Sequence, residues 1–246
     1  MDQTQHSTQS KHAPNAVVIV GGGSGIGLAA AKLFAEKGDA VTILGRSKEK
    51  LEAALKTLPS QVRAELVDGA SEEAVVRYFA GLSELDHLVL SLGGIAARGP
   101  FLDLSEQQFR RAFDAKFFAY LRVLRHAGKK TRRSITLVTG AAALRAFAGL
   151  SGVAATNGAL NAMVGPLSLE LAPTRINAVA PGLTATPYWN GMAAADRQDM
   201  YDKSARRVPV GRIGEPEDIA HAIHYLATNP FTTGAVIPCE GGAVHC

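Results

Sequence analysis

The chain has 246 residues, 47% of them hydrophobic, enough to bury one substantial core and too apolar for a disordered protein. A formal charge of only +4 gives no electrostatic case for nucleic acid, and the two cysteines, Cys239 and Cys246, are too few for a disulfide framework, which fits a cytoplasmic setting. No apolar run is long enough to span a bilayer, because Arg145, Ser151, Thr156 and Asn157 interrupt the alanine-rich middle.

Residues 1–15 are polar and lack the apolar centre of a signal peptide, so a disordered tail is expected there. The apolar run at 16–20 reads as a strand that enters a glycine loop, with a helix following from about Gly25 to Lys37. Residues 40–44 form a second strand, and a helix starts near Lys48 and stops before Pro59. A third strand is expected over 62–67, after which Ser71 caps a helix whose first turn carries Glu72 and Glu73.

The fourth strand is expected at 87–91. Ser105, Glu106 and Gln108 then signal a helix start, and a constant helical period would line Phe109, Phe113, Phe117 and Leu121 along one face. Lys129-Lys130-Thr131-Arg132-Arg133 reads as a solvated turn before a strand at 134–139. A long helix from Ser151 to Leu171 contains Pro166, which predicts a kink or at least a missing hydrogen bond, and strands follow at 175–180 and 235–239. This alternation predicts an α/β fold over residues 16–246: a single doubly wound parallel sheet of about seven strands (a Rossmann fold) flanked by helices on both faces.

Glycines at a strand-to-helix turn let backbone approach a phosphate, and the helix start supplies free N–H donors. Gly21, Gly25 and Gly27 depart from the usual dinucleotide spacing. They resemble the Thr-Gly-x-x-x-Gly-x-Gly pattern of the short-chain dehydrogenase/reductase family, with Val20 in the threonine position. The resemblance continues through Arg212–Ile219, similar to the family's pre-helix stretch, and Cys239-Glu240-Gly241-Gly242, similar to its terminal Asp-Gly-Gly.

The resemblance implies a nicotinamide dinucleotide cofactor held by Gly21, Gly23, Ser24, Gly25, Ile26 and Gly27. Arg46 and Ser47 follow the second strand, with Gly45 where NAD-preferring members carry an acid, which favours NADP(H) over NAD(H) because a guanidinium binds a 2′-phosphate. Asp68 would accept from the adenine amino group. Leu90 and Gly93 lie in the segment that stands where the family has Asn-Asn-Ala-Gly, and their backbone would meet the ribose. Pro181, Gly182, Leu183 and Thr186 resemble the segment that contacts the nicotinamide carboxamide. No metal site is expected.

The family reduces carbonyls with an Asn-Ser-Tyr-Lys tetrad: an acid, a cation beside it, a donor for the developing oxyanion and a residue holding a relay water. Those positions fall on Lys116, Gly140, Val153 and Asn157, so all four are changed. Asn157 retains the capacity to bond ribose hydroxyls. Lys116 and Tyr188 are the candidate substitute acids, beside the plainer readings of a lysine extending to solvent or pairing locally and an aromatic lining the pocket.

An NADP(H)-dependent oxidoreductase with a non-standard proton donor is therefore the leading expectation. A catalytically inactive nucleotide-binding protein (a redox sensor or partner subunit) and a non-redox lyase or isomerase stand as alternatives. Tyr188, Trp189, Met192 and Met200 suggest a small-molecule substrate with an apolar portion. The small residues Gly158, Ala159 and Ala162 suit close helix approach in a homodimer or homotetramer, and no nucleic-acid or membrane partner is expected.

Overall fold

Valine, isoleucine and leucine alternate between two packed faces in the computed structural model, which describes residues 13–94 and 97–246. Most of the expected N-terminal tail, residues 1–12, lies outside the described residues. The strands are β1 (Ala16–Val20), β2 (Ala40–Gly45), β3 (Arg63–Leu66), β4 (Leu85–Leu90), β5 (Thr131–Val138), β6 (Arg175–Pro181) and β7 (Val236–Cys239). They form one seven-stranded sheet in the order β3-β2-β1-β4-β5-β6-β7, with every pair parallel.

The helices are α1 (Gly25–Glu36), α2 (Lys48–Leu55), α3 (Glu72–Ala80), α4 (Glu106–Phe113), α5 (Ala119–Ala127), α6 (Ser151–Glu170), α7 (Ala194–Ala205) and α8 (Pro216–Thr228). Parallel strands need helical crossovers, and these cover both faces of the sheet. Val17 and Ile19 of β1 pack with Phe34 of α1, Ile43, Val89 and Ile223 of α8 on one side. Val18 and Val20 face the other way, against Leu88, Leu90, Phe79 of α3, Val123 of α5 and Leu160 of α6. Complete burial of each such side chain stabilises by roughly 1.5–3 kcal/mol, so both layers are needed to hold the sheet. No helix among the described residues is long and apolar enough to cross a membrane.

Two local expectations are corrected. Thr131, Arg132 and Arg133 are the first residues of β5 and not a solvated turn. Arg132 and Arg133 donate to Asp86 Oδ1 at 2.8 and 3.1 Å, and this pairing with β4 lets charged residues begin a strand. The helical run after Ser105 does not keep a constant period, because Asp114–Phe118 forms a π-helical turn between α4 and α5. The wider turn rotates the downstream residues, so the fully buried side carries Ala112, Ala119, Tyr120 and Val123, while Phe118 is exposed. At Pro166 the helix runs on to Glu170 with the missing hydrogen bond expected there: proline has no N–H to give the Ala162 carbonyl, and both residues are exposed, where water can take its place.

Candidate nucleotide and reaction site

Strand order reverses between β1 and β4, and in a doubly wound sheet that reversal opens a crevice at the carboxyl ends of the strands. The glycine loop after β1 is pinned there. The Gly21 and Gly22 N–H groups both donate to the Leu44 carbonyl, at 2.8 and 3.2 Å. Gly21 has φ +87°, and a Cβ on it would stand 2.4 Å from the Ser91 carbonyl oxygen. A Cβ on Gly27 would stand 2.2 Å from the Gly21 carbonyl oxygen. These two positions accept no side chain. Ser24 precedes α1 in an extended conformation, and its hydroxyl makes no capping bond. The first N–H groups of the helix therefore stay available to an anion.

Leu183 to Thr186 forms the opposite rim. Thr184 pairs with Gly214, the Ala185 N–H donates to Gly214 O at 2.8 Å, and the Gly214 N–H donates to Leu183 O at 2.9 Å. This tether brings Thr186 to within 3.3 Å of where a Gly25 Cβ would lie. Gly182 is closed against Glu240, whose Cα would meet a Gly182 Cβ at 2.8 Å. At the β2 end Arg46 is exposed and makes no ion pair among the described residues. The Ser47 hydroxyl is engaged in capping α2, accepting from Lys50 N at 3.2 Å and donating to Glu49 at 2.8 Å. Asp68 turns one oxygen to its own loop, accepting the Ala70 N–H at 3.0 Å. Leu90 is withdrawn: its side chain is fully buried and its carbonyl accepts the Tyr120 hydroxyl at 2.9 Å.

The four tetrad positions converge at the ends of β5 and α6. Gly140 is extended, and a Cβ there would stand 3.1 Å from Asn157 Nδ2. Asn157 is buried; its Nδ2 donates to the Val153 carbonyl at 2.9 Å, and its Oδ1 is buried without a hydrogen-bond partner. Lys116 stands in the middle of the π-helical turn. Of its two plainer readings, extension to solvent and local pairing, the second is the one found. Its Nζ donates to the Thr139 carbonyl at 3.1 Å and lies 5.8 Å from the Tyr120 ring centroid.

No carboxylate pairs with Lys116 among the described residues, and burial of its amine lowers its pKa from the usual 10.5 to about 8. Tyr120 is not a reactive group. It is wholly buried, and its hydroxyl donates to the carbonyls of both β4 and β5, at Leu90 and Val138. Tyr188 is half-exposed beside Trp189 and makes no hydrogen bond to this cluster among the described residues.

A family model described as enoyl-(acyl carrier protein) reductase matches residues 21–244. The chain belongs to the short-chain dehydrogenase/reductase family. It is 32% identical to a short-chain dehydrogenase/reductase of Stachybotrys chlorohalonatus (strain IBT 40285), over 92% of this chain and 96% of that one. It is also 32% identical to a cis-4-hydroxycyclohexanecarboxylate dehydrogenase of Sinomonas cyclohexanicum, over 94% and 96% of the two chains. A crystal structure of a small-chain dehydrogenase in complex with NADPH superposes with a TM-score of 0.80 at 33% identity, covering 94% of this chain and 99% of the other.

Sequence reasoning missed one residue of the cleft, Arg98. Its guanidinium carbon lies 4.7 Å from the Trp189 ring centroid and 5.5 Å from that of Tyr188. The signal was a lone arginine in a strand-end segment, residues 91–102, without acidic residues.

Proposed function

We propose that this chain is an NADP(H)-dependent oxidoreductase that interconverts a carbonyl and an alcohol, with Lys116 as the proton source. The observation that carries the reading is the inward Lys116 amine, bonded to Thr139 O beside the vacated tetrad positions Gly140 and Asn157. The nucleotide fits the residues present: a glycine cradle that a Cβ would fill, an uncapped Ser24 hydroxyl and an unpaired Arg46. When bound, the nicotinamide supplies or takes the hydride. The Lys116 ammonium gives its proton to the carbonyl oxygen in reduction, and its neutral amine takes a proton back in oxidation. The unpartnered Asn157 Oδ1 accepts from a ribose hydroxyl in place of the family's lysine.

Arg46 supports NADP(H) over NAD(H). Arg46→Ala is expected to raise the Kd for NADPH by roughly 10- to 100-fold, the worth of a charge-assisted pair, while leaving NADH binding unchanged. Isothermal titration with both nucleotides checks this, and an equal loss for both would remove Arg46 from the phosphate site.

Tyr188, Trp189 and Met192 on the rim support a substrate with an apolar portion. Gly158 on α6, where an added Cβ would meet nothing, and exposed Ala162 leave a small-residue stretch beside the exposed apolar Leu169, which supports a homodimer or homotetramer. A second reading, a nucleotide-binding protein without turnover, is favoured by one observation: Val153 puts an apolar side chain at the tyrosine position. Single-turnover reaction of the protein with NADPH and a carbonyl panel, beside a binding titration, separates the two. Binding with no nucleotide oxidation would overturn the oxidoreductase reading.

A further inference from the structure

Three strand-end segments border the cleft, and their charges are one-sided up to Asp103, which closes the first of them on its far side. Residues 91–102 after β4, 139–157 after β5 and 181–193 after β6 contain no Asp or Glu. They carry two arginines, Arg98 and Arg145. Arg145 is committed elsewhere, donating to the Ala243 carbonyl and lying 5.3 Å from the Phe147 ring centroid. Arg98 is exposed, and among the described residues it makes neither an ion pair nor a hydrogen bond.

Two contacts fix the loop that carries Arg98 against the start of α6. The Gly99 N–H donates to Gly149 O at 2.9 Å, and Ala97 packs so closely on Gly152 that a Cβ there would stand 2.4 Å from Ala97 Cβ. Gly152 immediately precedes Val153. Across the cleft, Trp189 is locked by its Nε1–H, which donates to Thr184 O at 2.9 Å, and Tyr188 meets it edge-on with centroids 4.9 Å apart. The Arg98 guanidinium thus spans from the reaction-site rim to the rim over the glycine loop. Arginine stacked on aromatic rings loses little hydrogen-bonding capacity, because its N–H fork points outward along its edge. The arrangement is an oriented, solvent-facing cation at the end of an apolar wall.

We infer that Arg98 anchors a carboxylate on the substrate, which makes the substrate class small apolar molecules bearing an acid group. The carboxylate takes the guanidinium fork bidentately, and the apolar body lies against Tyr188 and Trp189. Segments that carry arginine and no acid of their own raise the local concentration of such anions beside Arg98.

Trp189 is the single tryptophan, so occupancy beside Arg98 is read directly from its fluorescence. The probes are cyclohexanecarboxylate and its neutral counterpart cyclohexanecarboxamide, titrated at constant ionic strength into protein saturated with NADP⁺, which fills the other anion site. Calorimetry runs in parallel. The carboxylate is expected to bind and shift the emission, and the amide to bind at least about tenfold more weakly. Arg98→Gln is expected to weaken the carboxylate by roughly 10- to 100-fold with NADP⁺ affinity unchanged, which also certifies its fold.

Equal binding of acid and amide, an Arg98→Gln variant that holds the carboxylate as tightly as the parent, or no carboxylate binding by either method would overturn the assignment. A variant that loses NADP⁺ affinity but keeps the carboxylate would make Arg98 a latch between the rims, and would overturn it too. Binding is read without turnover, so failure here is distinguishable from failure of the oxidoreductase reading on which the word substrate rests.

Discussion

Lys116→Met is expected to reduce turnover by roughly 10²- to 10⁴-fold, the usual contribution of a positioned acid, while NADPH affinity stays within about threefold. Methionine keeps the length and apolar stem of the side chain and removes only the ammonium and its bond to Thr139 O. The pH profile separates a proton donor from a packing residue. With a lysine pKa near 8, carbonyl reduction in the parent is expected to be flat below pH 8 and to fall above it as the ammonium is lost. Alcohol oxidation follows the opposite limb, rising towards pH 8. The variant's residual rate shows neither limb.

Stability gives an independent reading of the same group. A folded-state pKa lowered from 10.5 to about 8 means that the unfolded chain holds more protons between those values. The parent is therefore expected to gain stability as pH rises from about 8 to 10.5, by at most roughly 3 kcal/mol, and the variant to lack that gain. Chemical denaturation of both proteins at pH 7.5 and pH 10 measures it. Matching pH dependences would place the Lys116 amine in solvent and remove it from the chemistry.

The sequence revealed most where local chemistry and tertiary structure demand the same thing. The strand at 16–20 needed two buried faces, and its unbroken β-branched run announces both; Val17 and Val18 do pack on opposite sides. The glycine loop was legible for a similar reason, since Gly21 and Gly27 stand where backbone touches backbone. Lys116 was legible as a residue type and not as a direction. A constant 3.6-residue period extrapolated from Phe109 runs through Asp114–Phe118 without registering the π-helical turn that carries Lys116 towards Thr139. The basic run at 129–133 misled because Asp86, its counter-charge, is remote in sequence and becomes a neighbour only when β4 and β5 pair. Arg98 was hidden for the same reason: its aromatic partners come from a loop 90 residues further along the chain.

Gly27→Ala is expected to abolish nucleotide binding and to destabilise the fold, whereas Gly23→Ala, four residues earlier, is expected to fold normally. The difference lies in what an added methyl group meets. At Gly27 it would come within 2.2 Å of the Gly21 carbonyl oxygen, 2.9 Å of the Gly21 carbonyl carbon and 3.1 Å of the Gly22 Cα. All three are backbone atoms of a loop already tied to Leu44 O, so no side chain can swing away to make room. At Gly23 the nearest atom is the end of the Leu51 side chain at 3.5 Å, an ordinary contact.

Forcing backbone apart in a packed turn costs about 2–4 kcal/mol, which for a domain of this size lowers Tm by roughly 4–16 °C. Gly23→Ala should stay within about 0.5 kcal/mol of the parent. Because the Gly27 N–H belongs to the first turn of α1, displacing the loop also misdirects the donors that face the pyrophosphate, and NADPH affinity should fall by more than about 100-fold. Thermal melts with and without NADPH check both halves: the parent and Gly23→Ala melt higher with nucleotide, and Gly27→Ala melts low and does not respond. A Gly27→Ala protein that still gains stability from NADPH would show that the phosphates are held elsewhere than on the glycine loop.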